Sequence, residues 1–288
     1  MQVGIGLPNT IPGTSGRQLT DWARAAEDAG FSTLGTIDRI VYSNFESLIA
    51  LSAAAAVTDR IRLATDVMLG PLRMNPALVA KQILSLDALA GGGRAVLGIA
   101  AGRREDDYEI SGLDMSGRGK WLDSALEKIR AIWNGDGELE SKVGPRPLGE
   151  GPTLLVGGYV KTALERAAKF GDGWTQGGAG PDQFKEDAAN LEEAWKKQGR
   201  DGGPYKMALV YFSLGPDAQK NAEHDLADYY TWLGEETAQM IVDSAAKDPD
   251  TVKQYMAGFE AAGCDELILF PCSSDPEQVQ LLAEAAGL

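Results

Sequence analysis

The sequence predicts an α/β protein built as a (β/α)8 barrel, with an excursion after the fourth strand and a long helical region between the seventh and eighth. Three observations carry this. Eight short apolar or β-branched runs alternate with segments whose apolar residues recur at helical spacing. The helix-to-strand junctions repeat one pattern, glycine or a small pair followed by a strand, in EDAGFSTLG, LAGGGRAVLG, FGDGWTQGG and AAGCDELILF. Glycine at such a junction supplies the left-handed cap that ends a helix. The length of 288 residues also suits a barrel, which takes about 250. The competing architecture is an open doubly wound sheet. Its glycine fingerprint needs a third glycine after the first strand, and the first run here, VGIGLPNT, lacks it.

In order, the first run covers 3–8 and its helix 17–29, stopped by Gly30. The second run covers 32–37, with a helix over 45–57. The third is 61–68; Pro76 then opens a helix over 76–90, where proline fits the first turn, and Gly91-Gly92-Gly93 breaks it. The fourth is 95–100, with a helix over 121–133. The glycine- and proline-rich stretch 134–152 reads as a surface excursion rather than a domain linker, because the alternation resumes at once. Runs five and six are 153–156 and 173–175, with helices over 159–170 and 182–197. The seventh is 206–214, followed by a helical region over 217–262 expected to hold two or three helices. The eighth is 267–270, with a last helix over 277–286. This makes one barrel domain spanning 1–288.

Composition narrows the function classes. The net charge of −15 makes nucleic acid and anionic membrane poor partners, though backbone amides can still bind one phosphate locally. His224 is the only histidine, which excludes barrel hydrolases that hold metals through several histidines; no metal site is expected. The two cysteines, Cys264 and Cys272, read as reduced thiols. No basic segment with an apolar core opens the chain and no apolar run approaches about 20 residues, so a cytoplasmic protein is expected. Trp22, Trp121, Trp133 and Trp195 sit at helical positions and read as packing. Residues 229–232, Tyr-Tyr-Thr-Trp, read either as an aromatic wall or as helix core.

A barrel places its chemistry at the carboxyl ends of its strands. At the fifth end, Val156-Gly157-Gly158 runs into a helix expected to begin near Tyr159. Glycines admit a ligand to the backbone, a helix N-terminus offers free N–H groups to a phosphate, and Thr162 can add a hydroxyl. Thr175-Gln176-Gly177-Gly178 is a second permissive turn beside it. Both pairs read equally as tight βα turns. Asp38 ends the second run and either faces a ligand or caps and pairs locally, with Arg39 as its neighbour. Asp66 ends an apolar run, so it must be hydrogen-bonded or face a ligand. The charge run Arg103-Arg104-Glu105-Asp106-Asp107 reads as a solvated loop, with Arg39 and Arg103 as the candidate clamps for an anion.

Four segments resemble the bacterial luciferase-like family, which contains FMN-dependent monooxygenases and enzymes dependent on the deazaflavin coenzyme F420. They are RMNPALVAKQILSLDALAGGGRAVLGIAAG, DDYEISGLDMSGRGKWLDSALEKIRAIW, ALERAAKFGDGWTQGG and AGFEAAGCDELILFP, in family order over nearly the whole chain. The resemblance implies a TIM barrel that holds the ring of FMN or F420 at the strand ends. It implies ring contacts near a bulge after the third strand at Asp66-Val67, often with a non-proline cis peptide, and further contacts at Ala101-Gly102. Phosphate falls on Gly157-Gly158, and the ring-contacting acid of the deazaflavin branch on Asp38. One branch carries a His and a Glu where this chain has Arg39 and Arg103, so that branch's activity is not implied. A histidine of the monooxygenases near the second strand is also missing. The expected function is hydride transfer with F420, or oxygenation with reduced FMN and a separate flavin reductase, on a small organic substrate. Asp38, Arg39 and Arg103 are the candidate catalytic groups. A homodimer is implied by the resemblance alone. A barrel subunit that has lost cofactor binding is the alternative.

Overall fold

The computed structural model describes residues 1–288. Eight parallel strands close a barrel in chain order: β1 (Gln2–Gly6), β2 (Thr33–Thr36), β3 (Arg62–Leu69), β4 (Ala95–Ala100), β5 (Thr153–Gly157), β6 (Gly173–Gly177), β7 (Tyr205–Phe212) and β8 (Glu266–Pro271). The register closes through β1 and β8, with Gln2 opposite Glu266 and Ile5 opposite Leu269. The helices are α1 (Gly16–Asp28), α2 (Ser47–Ala55), α3 (Pro76–Leu89), α4 (Glu105–Ile110), α5 (Arg118–Asn134), α6 (Lys161–Phe170), α7 (Pro181–Lys197), α8 (Ala218–Tyr229), α9 (Glu235–Ser244), α10 (Pro249–Ala261) and α11 (Glu277–Ala286). The excursion after α5 carries only a 3-10 turn at Glu140–Lys142. No helix is long and apolar enough to cross a membrane.

Local chemistry explains the helix starts. Ser15 and Gln18 form a reciprocal capping box ahead of α1, whose Leu19, Trp22, Ala23 and Ala26 turn inward. Asn75 accepts from the Ala77 and Leu78 amides, with Pro76 in the first turn of α3. Asp248 and Pro249 do the same for α10. Strands buried on both faces read as near-continuous apolar runs, as parallel sheets require. Inside the barrel the Phe270 ring lies where a Cβ at Gly6 or Gly35 would stand, which accounts for glycine in VGIG and TLGT. Cys264 and Cys272 are buried and unbonded. Trp22, Trp133 and Trp195 are buried in packing positions, while Trp121 is half-buried against the core.

The amino end of the barrel is closed by a polar plug around the buried Glu266. Ser32 and Thr33 hydroxyls donate to its Oε1 at 2.5 Å each, and Arg62 and the Tyr205 hydroxyl reach its Oε2 at 3.2 and 2.9 Å. Each carboxylate oxygen thus has two donors, so the buried group is fully partnered within the chain.

The charge run after β4 is only in part a solvated loop: Arg103 is exposed ahead of α4, while Glu105 to Asp107 form the first turn of that helix and Asp107 is fully buried. Arg39 Nε donates to Asp107 Oδ2 at 3.1 Å, and the Ile40 and Val41 amides donate to Oδ1. Arg39 is sandwiched between the Tyr42 and Tyr229 rings.

Candidate functional site

A cavity of about 470 Å³ opens at the carboxyl ends of β3 to β7. Its floor is made where the β3–β4 ladder loses register between Thr65 and Met68. Asp66 and Val67 occupy that gap, and the peptide bond between them is cis. A bulge re-aims the side chains it contains, which here puts both residues on the cavity wall. Ala101, Gly102 and Arg103 follow β4 along one side; the Tyr108 hydroxyl holds the Ala101 carbonyl and Arg118 Nε holds the Gly102 carbonyl. Gly157 and Gly158 follow β5 on the opposite side, with Tyr159 and Thr162 beyond them, and the Trp174 indole N–H donates to the Gly158 carbonyl. Thr175, Gly177 and Leu209 complete the wall.

Asp66 is the one acid in this lining. Its Oδ1 accepts from the Thr175 hydroxyl at 2.7 Å, and its Oδ2 has no partner. Burial pushes its carboxyl up to about 7, against the pull of the Thr175 bond and with a further push from the negative charge of Glu266. Around it the lining is cationic. Arg103, Arg118 and Arg166 all contribute, in a chain whose net charge is −15. Two helices also start at the cavity, α5 at Gly117-Arg118-Gly119 and α6 at Val160 to Ala163, and neither has a side-chain cap. Uncapped first-turn amides and the positive end of each dipole favour an anion. Arg166 ties the two starts together by donating to Asp123 on α5 and to the Gly119 carbonyl.

A second chamber of about 710 Å³ adjoins the first and shares Arg103, Tyr159, Gly177 and Leu209 with it. It is bounded by β7 and by the helical region after it, through Tyr211, Tyr230, Trp232, Met240 and Ile241.

The family model for luciferase-like monooxygenases matches residues 1–281. The chain belongs to the luciferase-like monooxygenase family. An uncharacterised protein of Mycobacterium tuberculosis is 33% identical over 219 residues, covering 65% of this chain and 74% of that one. The FMNH2-dependent dimethylsulfone monooxygenase of Pseudomonas fluorescens is 25% identical over 285 residues, covering 88% of this chain and 72% of that one. Among solved structures, an F420-dependent secondary alcohol dehydrogenase in complex with an F420–acetone adduct superposes with a TM-score of 0.83, at 19% identity, covering 99% and 97% of the two chains. That last likeness is one of fold.

Within this luciferase-like barrel the cavity gathers Asp66, Val67, Ala101, Gly102, Arg103, Gly157, Gly158, Tyr159, Thr162, Thr175 and Gly177. Three candidates lie outside it. Gln176 points the other way, into the helix layer, where its amide donates to Asp187 on α7 at 2.7 Å; neighbours on a strand face opposite sides, and Thr175 takes the inner one. Asp38 is locked by Arg73 at 2.6 Å, the Leu69 amide at 3.0 Å and the Ser47 hydroxyl at 3.2 Å. Arg39 is committed to Asp107 and the two tyrosines, so it is no clamp for a ligand's anion. The helix after β5 starts at Lys161, two residues later than Tyr159. Gly158 has a φ of +132° and lies where a Cβ would meet Ala163 at 2.8 Å, so its own backbone already requires glycine there. Gly158→Val would therefore disturb the fold and is not a clean test of ligand binding.

Sequence reading missed Arg118, Gly119 and Arg166. The signal was the glycine pair in SGRGK: it starts α5 at Arg118, three residues before Trp121, and so brings a second helix N-terminus to the cavity.

Proposed function

We propose that this chain is a flavin-type oxidoreductase that holds reduced FMN or coenzyme F420 in the cavity of about 470 Å³ and acts on a small organic substrate beside it. The observation that carries this is the pairing, in one cavity, of two uncapped helix starts and the arginines Arg118 and Arg166 with an apolar slot of Val67, Ala101 and Leu209 and one buried acid with an unpaired oxygen. A ligand with an anionic tail and a flat, largely apolar ring carrying polar edges matches that wall. Thr162, Arg118 and the first turns of α5 and α6 would hold the phosphate; Val67, Ala101 and Gly102 would flank the ring. When bound, such a cofactor supplies two-electron redox chemistry. The chain's own contribution is to orient, to exclude water and to hold a proton. A carboxyl near 7 carries a proton in about half of the molecules at neutral pH, so Asp66 can give or take one at its free Oδ2. Relatives named for each cofactor support the two arms of this reading. With FMN the enzyme would use oxygen and a separate flavin reductase; with F420 it would need neither. We further propose a cytoplasmic homodimer, in which exposed Ile49 on α2 and Leu78 and Leu89 on α3 are candidates for the covered face.

Titration with FMN, reduced FMN and F420, followed by calorimetry, tests the assignment. One of them is expected to bind at micromolar concentration or below, and Thr162→Val to weaken it severalfold, the loss of one hydrogen bond. Absence of binding by all three would leave a non-catalytic barrel. Light scattering at micromolar protein tests the dimer.

A further inference from the structure

We infer that the second chamber takes a largely apolar molecule bearing one anionic group, with Arg103 as its anchor; this rests on reading the smaller cavity as the cofactor's. The chamber of about 710 Å³ is walled by aromatic and aliphatic side chains. Its polar side chains are mostly spent inside the protein. The Tyr211 and Tyr230 hydroxyls share one hydrogen bond at 2.6 Å, the Ser244 hydroxyl donates to the Ile241 carbonyl, the Tyr255 hydroxyl donates to the Ser244 carbonyl, and the Gln183 amide reaches Asp187. A ligand therefore finds few polar groups to recognise it. No Asp, Glu or Lys lies on the wall, and Arg103 is the sole charge.

Arg103 differs from its neighbours in having neither an ion pair nor a hydrogen-bond partner within the chain. Arg104 is paired with Asp106 at 2.7 Å and Arg166 with Asp123 at 2.6 Å, and Arg118 is bonded to two backbone carbonyls. Arg103 makes no ion pair and rests over the Trp232 ring at 5.1 Å. Arg104 lies over the same ring at 4.6 Å but is spent on Asp106, whereas the ring contact leaves the N–H fork of Arg103 free, which suits a carboxylate. Its place on the shared wall sets the anionic end of the substrate beside the cofactor cavity and sends the apolar body toward Tyr211, Met240 and Ile241.

The test uses three probes with one body: 2-naphthoate, 2-naphthamide and 2-naphthylmethylammonium. Calorimetry on the full chain without cofactor is expected to rank them in that order, with naphthoate about tenfold tighter than the amide. Arg103→Gln should erase that gap and leave the amide's affinity unchanged. Thr237→Trp, which adds bulk from α9, should weaken all three probes without altering the FMN or F420 titration. The proposal is overturned if the ammonium binds as tightly as naphthoate, if the gap survives Arg103→Gln, or if Thr237→Trp leaves the probes unaffected. Loss of naphthoate binding under saturating cofactor would assign Arg103 to the cofactor and also overturn it. Because the probes are read without cofactor, their failure and a failed cofactor titration remain separate results.

Discussion

Two buried carboxylates, Glu266 near the amino end of the barrel and Asp66 near its carboxyl end, are treated in opposite ways. Glu266 at the amino end is fully buried and has four donors. Asp66 at the carboxyl end has one donor, a free oxygen and a cavity beside it. A buried charge with a complete set of partners stabilises a structure at rest. One with an incomplete set costs stability. The same contrast separates Arg39, enclosed by Asp107 and two tyrosines, from Arg103, which has only a ring beneath it.

The largest effects should come from breaking the completed sets. Glu266→Ala strands four donors in the plug, and Arg39→Ala takes the buried cation away from the fully buried Asp107, which keeps only the Ile40 and Val41 amides and a longer contact to Arg104. Removing one partner of a buried pair costs about 3–5 kcal/mol. Urea unfolding should show a free energy lowered by that amount, read as a lower midpoint at unchanged slope, for both variants. A loss below about 1 kcal/mol in either would mean that water replaces the missing partner and that the two ends are not treated differently.

Asp66 should behave in the reverse sense. Its folded pKa lies above its ordinary value, so the folded state binds more protons than the unfolded state between about pH 4 and 7. Stability from this group is therefore full below about pH 4, falls as pH rises through 7, and is flat above. Asp66→Asn keeps an acceptor for Thr175 and removes the charge. It should stabilise the protein at pH 8 by roughly 1–4 kcal/mol and change little at pH 4. Above about pH 5 the variant keeps a residual slope of the same sign, because burial also pushes Asp225 up to about 7, helped by Asp228. Parallel stability curves for wild type and variant from pH 4 to 8 would show that Asp66 is ionised throughout.

The strand order, the junction glycines and the end of the barrel that carries the cavity were legible in the sequence because each is encoded within a few residues. Period and capping place the eight runs, and closure follows from their number. The missing parts depend on partners far along the chain. Asp107 meets Arg39 across 68 positions, so no local pattern marks the charge run as buried. Asp38 looks free until Arg73 arrives from the turn after β3. Gln176 was decidable, since strand alternation lets only one of Thr175 and Gln176 face inward. The aromatic stretch after α8 satisfies both of its readings: Tyr229 is buried against Arg39, while Tyr230 and Trp232 wall the second chamber.

The smallest effect on stability should come from Arg103→Ala. The side chain is exposed, has no ion pair, and contributes only its stack on Trp232, itself 37% exposed. An exposed cation–π contact is worth about 0.5–1 kcal/mol, and part of that is regained when the unstacked ring and the freed backbone carry fewer constraints. Unfolding should therefore shift by no more than about 0.5 kcal/mol, against several for Arg39→Ala. If the two arginines were equivalent strand-end charges, both substitutions would give similar values. A loss of 2 kcal/mol or more at Arg103 would mean that it holds the mouth of the barrel together, and the line between the completed and the incomplete charge sets would then have to be drawn elsewhere.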